Sequence, residues 1–161
     1  MKTRHRAYGY ITHGRKLLLF THPESPEAGI QVPAGTIKEG EKPQDAVMRE
    51  AREETNLSGL EFVRFLDQDT RDMRDYGTDE LQYRWFFHLR CASEPPNKWR
   101  HGEYADDGTL LHPFDFFWCD LDSLPKLIAN YDDKIDLLRE SLARIAEPDG
   151  VPNPVPLRST R

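Results

Sequence analysis

The stretch from Gly35 to Leu57, GTIKEGEKPQDAVMREAREETNL, constrains this chain more than any other. Its second half predicts a helix over Pro43 to Thr55. Pro43 falls at a first helical position, where a missing N–H costs little. Asp45 adds negative charge near the N-terminus, where the helix dipole favours it. At about 100° per residue, Glu50, Glu53 and Glu54 share one arc. Val47, Met48, Ala51 and Thr55 occupy the next, and Asp45, Arg49 and Arg52 a third. Such a helix docks by a small apolar face and carries three carboxylates at its edge.

Taken alone, the string REAREE reads first as a solvated helix surface, because Glu and Arg are good helix formers and pair at i,i+4. The sharper reading is a divalent metal site. Mg²⁺ takes hard oxygen ligands, a few carboxylates together with water and substrate phosphate. A phosphate-binding P-loop is excluded. Gly35 and Gly40 have the right spacing, but Glu41-Lys42-Pro43 follows in place of Gly-Lys-Ser/Thr.

The loop before the helix separates the two readings. Gly35, five residues, Glu41, seven residues, then Arg49-Glu50-Ala51-x-Glu53-Glu54-x-x-Leu57 resembles the Nudix box. That box is the signature of hydrolases acting on a nucleoside diphosphate linked to another moiety. Asn56 stands where the family has Gly; Asn is the next residue most tolerant of a left-handed helix end. Ala51 is a weak form of the apolar position, Lys42 replaces a better N-cap, and Ala34 replaces the first Gly of the family's Pro-Gly-Gly turn.

The resemblance implies an α+β fold, an α/β/α sandwich with a central mixed β-sheet. It implies water attack on a phosphorus of a small nucleotide-like substrate, assisted by Mg²⁺ or Mn²⁺. The implied ligands are Glu50, Glu53, Glu54 and the carbonyl of Gly35. Of the glutamates, Glu53 is the first candidate to accept the proton of the attacking water. Arg49 is expected to pair with Glu41 or a neighbouring glutamate and so to orient the ligands. In several relatives the base lies outside the box; Glu103, His112 and Asp115 are the candidates here. Two alternatives share the fold. A non-hydrolytic nucleotide-binding regulatory module would be expected to lose box carboxylates, and this chain keeps Glu41, Glu50, Glu53 and Glu54. An isoprenoid-diphosphate isomerase would need Cys91 or Cys119 as a reactive thiol.

The rest of the chain fits one domain over 1–147 and a Pro-rich tail over 148–161. Its 161 residues allow one real core. No apolar run approaches the ~20 residues of a membrane span, and no apolar segment of signal-peptide length follows the basic N-terminus. Cys91 and Cys119 lack metal-type spacing and read as reduced thiols. A cytoplasmic protein with no membrane association is expected. A net charge of −6 argues against dedicated nucleic-acid binding, which would show a basic stripe.

Strands are expected at Arg4 to Thr12 and Lys16 to Thr21, joined as a hairpin, and at Ile30 to Val32. Others follow at Leu60 to Asp69, Leu81 to Cys91 and Leu110 to Cys119, with a hairpin turn at Asp107-Gly108. Arg71 to Asp79 reads as a charged loop. Asp122 to Asn130 reads as a short helix, and Tyr131 to Ala146 as an amphipathic one with Ile135, Leu138, Leu142 and Ile145 on one stripe. Tyr8, Tyr83, Trp85, Trp99 and Phe116 are candidates to stack a base, and Arg4, Arg6, Arg71, Arg74 and Arg84 to hold phosphate. In the tail, Val151, Val155 and Leu157 are the apolar anchors. They are expected to pack on the same or a partner subunit, the second case being a homodimer.

Overall fold

The structure is a computed structural model that describes residues 1–145. The tail and its three anchors lie outside the described residues.

A seven-stranded mixed sheet forms the middle layer. Its strands are β1 (Lys2–His13), β2 (Lys16–Thr21), β3 (Ala34–Thr36), β4 (Leu60–Asp72), β5 (Glu80–Cys91), β6 (Lys98–Tyr104) and β7 (Leu110–Asp120). The order is β4-β5-β1-β2-β7-β6, with β3 paired to β1. Helix α1 (Pro43–Thr55) covers one face and α2 (Ile135–Ile145) the other.

Two-sided covering explains the strand sequences. Side chains alternate across a strand, and a strand buried on both faces reads as a continuous apolar run. In β2, Leu18 and Phe20 face α1 while Leu17 and Leu19 face α2. In β1, Ala7 and Ile11 pack towards α1 and Tyr8 and Tyr10 towards α2. Helix α1 docks through Ala46, Val47, Ala51 and Thr55, nearly the face drawn from its period.

The central pairing is parallel, β1 beside β5, running from Lys2 opposite Glu80 to Thr12 opposite Arg90. The expected hairpin of β1 and β2 is present but pairs only Thr12 with Leu17 and His13 with Lys16. Several local expectations are corrected. The strand expected at Ile30 to Val32 falls at Ala34–Thr36, and Gln31 keeps only an isolated bridge to Phe20. The reason is the pairing with β1, which takes Ala34, Gly35 and Thr36. β4 runs on to Asp72, and part of the expected charged loop, Met73–Tyr76, is a 3-10 turn. The short helix expected over Asp122 to Asn130 is two separate 3-10 turns, Leu121–Ser123 and Ile128–Asn130. Ala129 and Asn130 both have positive φ, which breaks helical continuity, so α2 begins only at Ile135.

His88 ties the sheet to α2. It is fully buried, with Nε2 at 2.8 Å from the Thr12 hydroxyl and Nδ1 at 2.7 Å from the Ser141 hydroxyl. Burial, with Arg64 and Arg90 nearby, pushes its pKa down from 6.5 to about 4. Between these values the unfolded chain binds the extra proton and the folded chain does not. Stability is therefore fully present above pH 6.5 and is lost as pH falls towards 4. The expected loss is about 3 kcal/mol. Urea unfolding across this range checks it, and His88→Gln should remove most of that slope.

Candidate active site

The box helix is shaped by its ends. Lys42 occupies the N-cap without a side-chain hydrogen bond, and Asn56 closes the C-terminus at φ 59°, its N–H donating to the Arg52 carbonyl. The last carbonyls are received by β6. Trp99 Nε1 donates to the Thr55 carbonyl at 2.9 Å, and His101 Nε2 lies 3.1 Å from the Glu53 carbonyl. Sequence reasoning missed this brace, because it depends on a strand that arrives from the far edge of the sheet.

Arg49 organises the carboxylates. Its Nε and Nη2 donate to both oxygens of Glu41 at 2.8 and 2.9 Å, and Nη2 also reaches the Thr36 carbonyl at 3.1 Å. Nη1 donates to Glu50 at 2.7 Å and to Glu53 at 3.2 Å. The Arg49 pair holds the Glu41 carboxyl down to about 2. Glu53 is the most open of the box glutamates on this arginine, with 61% of its side chain exposed. Glu54 points inward instead and accepts the Ala34 N–H at 3.0 Å. Burial, and then the charge of Glu50, push its pKa up to about 8.

Gly35 is the point of closest approach. A Cβ there would overlap the Glu50 carboxylate, so only glycine lets this peptide stand against it. Among the described residues, no three carboxylate, imidazole or thiol groups already converge as a metal grip. Glu50 and Glu53 lean on Arg49, while Glu54 leans on Ala34. The donor set nevertheless suits a hard divalent cation, being all oxygen. Loss of solvent, and then the neighbouring Glu50 charge, disfavour the Glu54 carboxylate, and a cation bound there would relieve both.

A cleft of about 340 Å³ opens beside these groups, lined by Glu50, Glu53, Glu54, Gly102, Glu103, His112 and Phe114. Two of the three outside candidates, Glu103 and His112, are thus brought to the box. A bulge between His101 and Glu103 does this. Gly102 is the single residue opposite its two, His112 and Pro113, and a Cβ there would lie 2.7 Å from the His112 carbonyl oxygen. His112 sits opposite at φ 47°, a strained conformation for a residue with a side chain. Bulges re-aim side chains in this way near active sites. The third candidate, Asp115, is instead held by Arg100 at 2.7 and 3.0 Å.

Of the aromatic candidates, Tyr8 and Phe116 are core residues, and Trp99 stacks on Phe116. Tyr83 and Trp85 stack on His5, and His5 and Trp85 border a second groove along the box loop. Neither cysteine lines the carboxylate cleft, and burial raises the Cys91 thiol pKa. That removes the thiol an isomerase would need.

A mixed sheet between two helices, with a carboxylate-bearing helix against its central strands, is the arrangement that the box resemblance implies. A sequence model of the NUDIX domain matches residues 3–140, and the chain belongs to this family. It is 27% identical over 143 residues to an RNA pyrophosphohydrolase of Bartonella quintana (strain Toulouse), covering 76% of this chain and 75% of that one. It is 24% identical over 135 residues to the RNA pyrophosphohydrolase of Bartonella clarridgeiae, with 76% and 75% covered. In fold it is similar to a NUDIX hydrolase from Nitrosomonas europaea, with a TM-score of 0.62 at 20% identity over 96% of this chain and 98% of that one. The chain is a pyrophosphohydrolase of compounds built on a nucleoside diphosphate.

Proposed function

We propose that this hydrolysis depends on Mg²⁺ or Mn²⁺ held by Glu50, Glu53, Glu54 and the Gly35 carbonyl. The observation that carries the reading is the contact of the Gly35 peptide with Glu50, beside Glu54 on the Ala34 N–H. Bound at these oxygens, the cation would supply charge neutralisation for the phosphates and a lowered pKa for the attacking water. The chain's own residues do the rest. Arg49 fixes the directions of Glu50 and Glu53 through the bonds already made, the outer support that metal ligands need. Glu53 is the box residue open enough to accept the water's proton, and Glu103 lines the same cleft.

The substrate in this reading is a small nucleotide. The net charge of −6 supports that choice over a polynucleotide body. Both described cysteines are free thiols, which supports a reducing, cytoplasmic setting. No helix of the described residues is long and apolar enough to cross a membrane.

A product screen tests the reading. Nucleoside di- and triphosphates, nucleotide sugars, dinucleoside polyphosphates, and a 5′-triphosphorylated oligonucleotide are incubated with and without added Mg²⁺. The name of the two Bartonella relatives puts the oligonucleotide in the panel. Release of a nucleoside monophosphate only when metal is added is the expected result. Equal turnover in EDTA would refute the metal role, and cleavage of the oligonucleotide alone would refute the small-nucleotide substrate.

A further inference from the structure

Five arginines have the reach to hold a phosphate, and the structure commits four of them elsewhere. Arg84, 1% exposed, is clamped by Asp69 at 2.7 Å and Asp133 at 3.2 Å. Arg74 is held by Asp72, Arg71 by Asp133, and Arg4 by Glu80. Arg49 in the box is likewise filled by Glu41, Glu50, Glu53 and the Thr36 carbonyl. Among the described residues Arg6 alone of the five makes no ion pair, and its Nε is buried without a hydrogen-bond partner.

Its position is specific. In the ladder between β1 and β3, Arg6 stands opposite Thr36, Ala7 opposite Gly35 and Tyr8 opposite Ala34. Arg6 is therefore one residue along from the peptide that touches Glu50. Alternation puts its side chain on the Tyr8 face of the sheet, and the guanidinium lies 5.6 Å from the Tyr8 ring centroid. The Tyr8 hydroxyl donates to Gln82. Of the groups that bear on the Arg6 guanidinium, Tyr8 and Tyr131 come first and Glu54 is the one carboxylate. Glu54 already accepts the Ala34 N–H on this same edge.

A buried guanidinium donor left unused is costly and rare. Its planar fork fits a phosphate better than any other cationic side chain does. We propose that Arg6 binds a phosphate of the substrate's diphosphate, where the ladder of β1 and β3 meets Glu54. Arg49 organises the carboxylates, and Arg6 receives the phosphate they act on. This inference rests on the functional reading above.

The test uses the full chain and α,β-methylene-ADP, whose bridging carbon resists hydrolysis, with Mg²⁺ present. Calorimetry should show affinity falling about 10- to 100-fold in Arg6→Gln, with Mn²⁺ binding in the absence of nucleotide unchanged. Arg6→Lys should recover part of the loss, since it keeps the charge without the fork. In wild-type protein the Arg6 Nε–H resonance should shift as the analogue is added, which needs no variant to fold. An unshifted resonance at saturation, or full affinity in Arg6→Gln, overturns the inference and leaves the functional reading standing. No analogue binding by wild-type protein with Mg²⁺ overturns both.

Discussion

Glu54→Gln is expected to lower kcat by about 1,000-fold, a loss of about 4 kcal/mol. The geometry ranks this glutamate first. It is half-buried, it is turned to the Ala34 N–H, and its pKa is pushed up to about 8 by the loss of solvent and then by the charge of Glu50. A neutral amide of the same shape cannot meet a divalent cation as a carboxylate does. Glu53→Gln, at the more open position, is expected to lose about 100-fold.

The same burial predicts the opposite effect on stability. The folded pKa of Glu54 lies above the ordinary 4.5, so its contribution is present below that value and is lost as pH rises through about 8. In EDTA at pH 8, Glu54→Gln should melt above wild type, and the gap should close towards pH 5. Metal binding must also displace the Glu54 proton, so wild-type Mn²⁺ affinity should climb with pH up to about 8 and flatten in the variant. Near-normal kcat in a well-folded Glu54→Gln protein would show that the box helix is scaffold.

Gly35→Ala should cost at least about 100-fold in kcat/KM, through one methyl group that takes no part in the chemistry. The added Cβ would occupy the space of the Glu50 carboxylate. Glu50 must swing away, which parts it from the Gly35 peptide and disturbs its bond to Arg49. The fold should survive, because what moves is the end of a flexible side chain; about 1–3 kcal/mol of stability is at risk. A double-mutant cycle checks the route. If alanine acts by displacing Glu50, it should cost little more in a Glu50→Ala background. Full additivity in that cycle would locate the damage in the backbone of β3.

The box helix was legible because its signals are local. Pro43, Asp45, the apolar face of Val47 and Ala51, and Asn56 as a left-handed cap all act within a turn or two. So was part of the carboxylates' dependence on Arg49, since Glu53 lies four residues on along the helix and Glu50 is adjacent, while Glu41 reaches it from the loop. The alternating or continuous apolar runs of β1, β2, β5 and β7 also announced strands, and the box pattern announced the family.

What the local pattern left open was decided by pairing across long sequence separations. β3 sits at Ala34–Thr36 because β1 accepts those residues, whatever the apolar Ile30 and Val32 suggest. Glu103 and His112 reach the box, and Asp115 does not, because a bulge opposite Gly102 shifts the register of one hairpin. Arg6 and Arg84 look alike in a sequence, both lying within strands with an aromatic residue one or two places away. Only the partners brought up by β3, β4 and the turn before α2 satisfy one and leave the other open. The chemistry of the box is written in residues that lie on one helix and its loop. The setting of that chemistry depends on strand register, which a one-residue shift would invert, and only the folded sheet determines it.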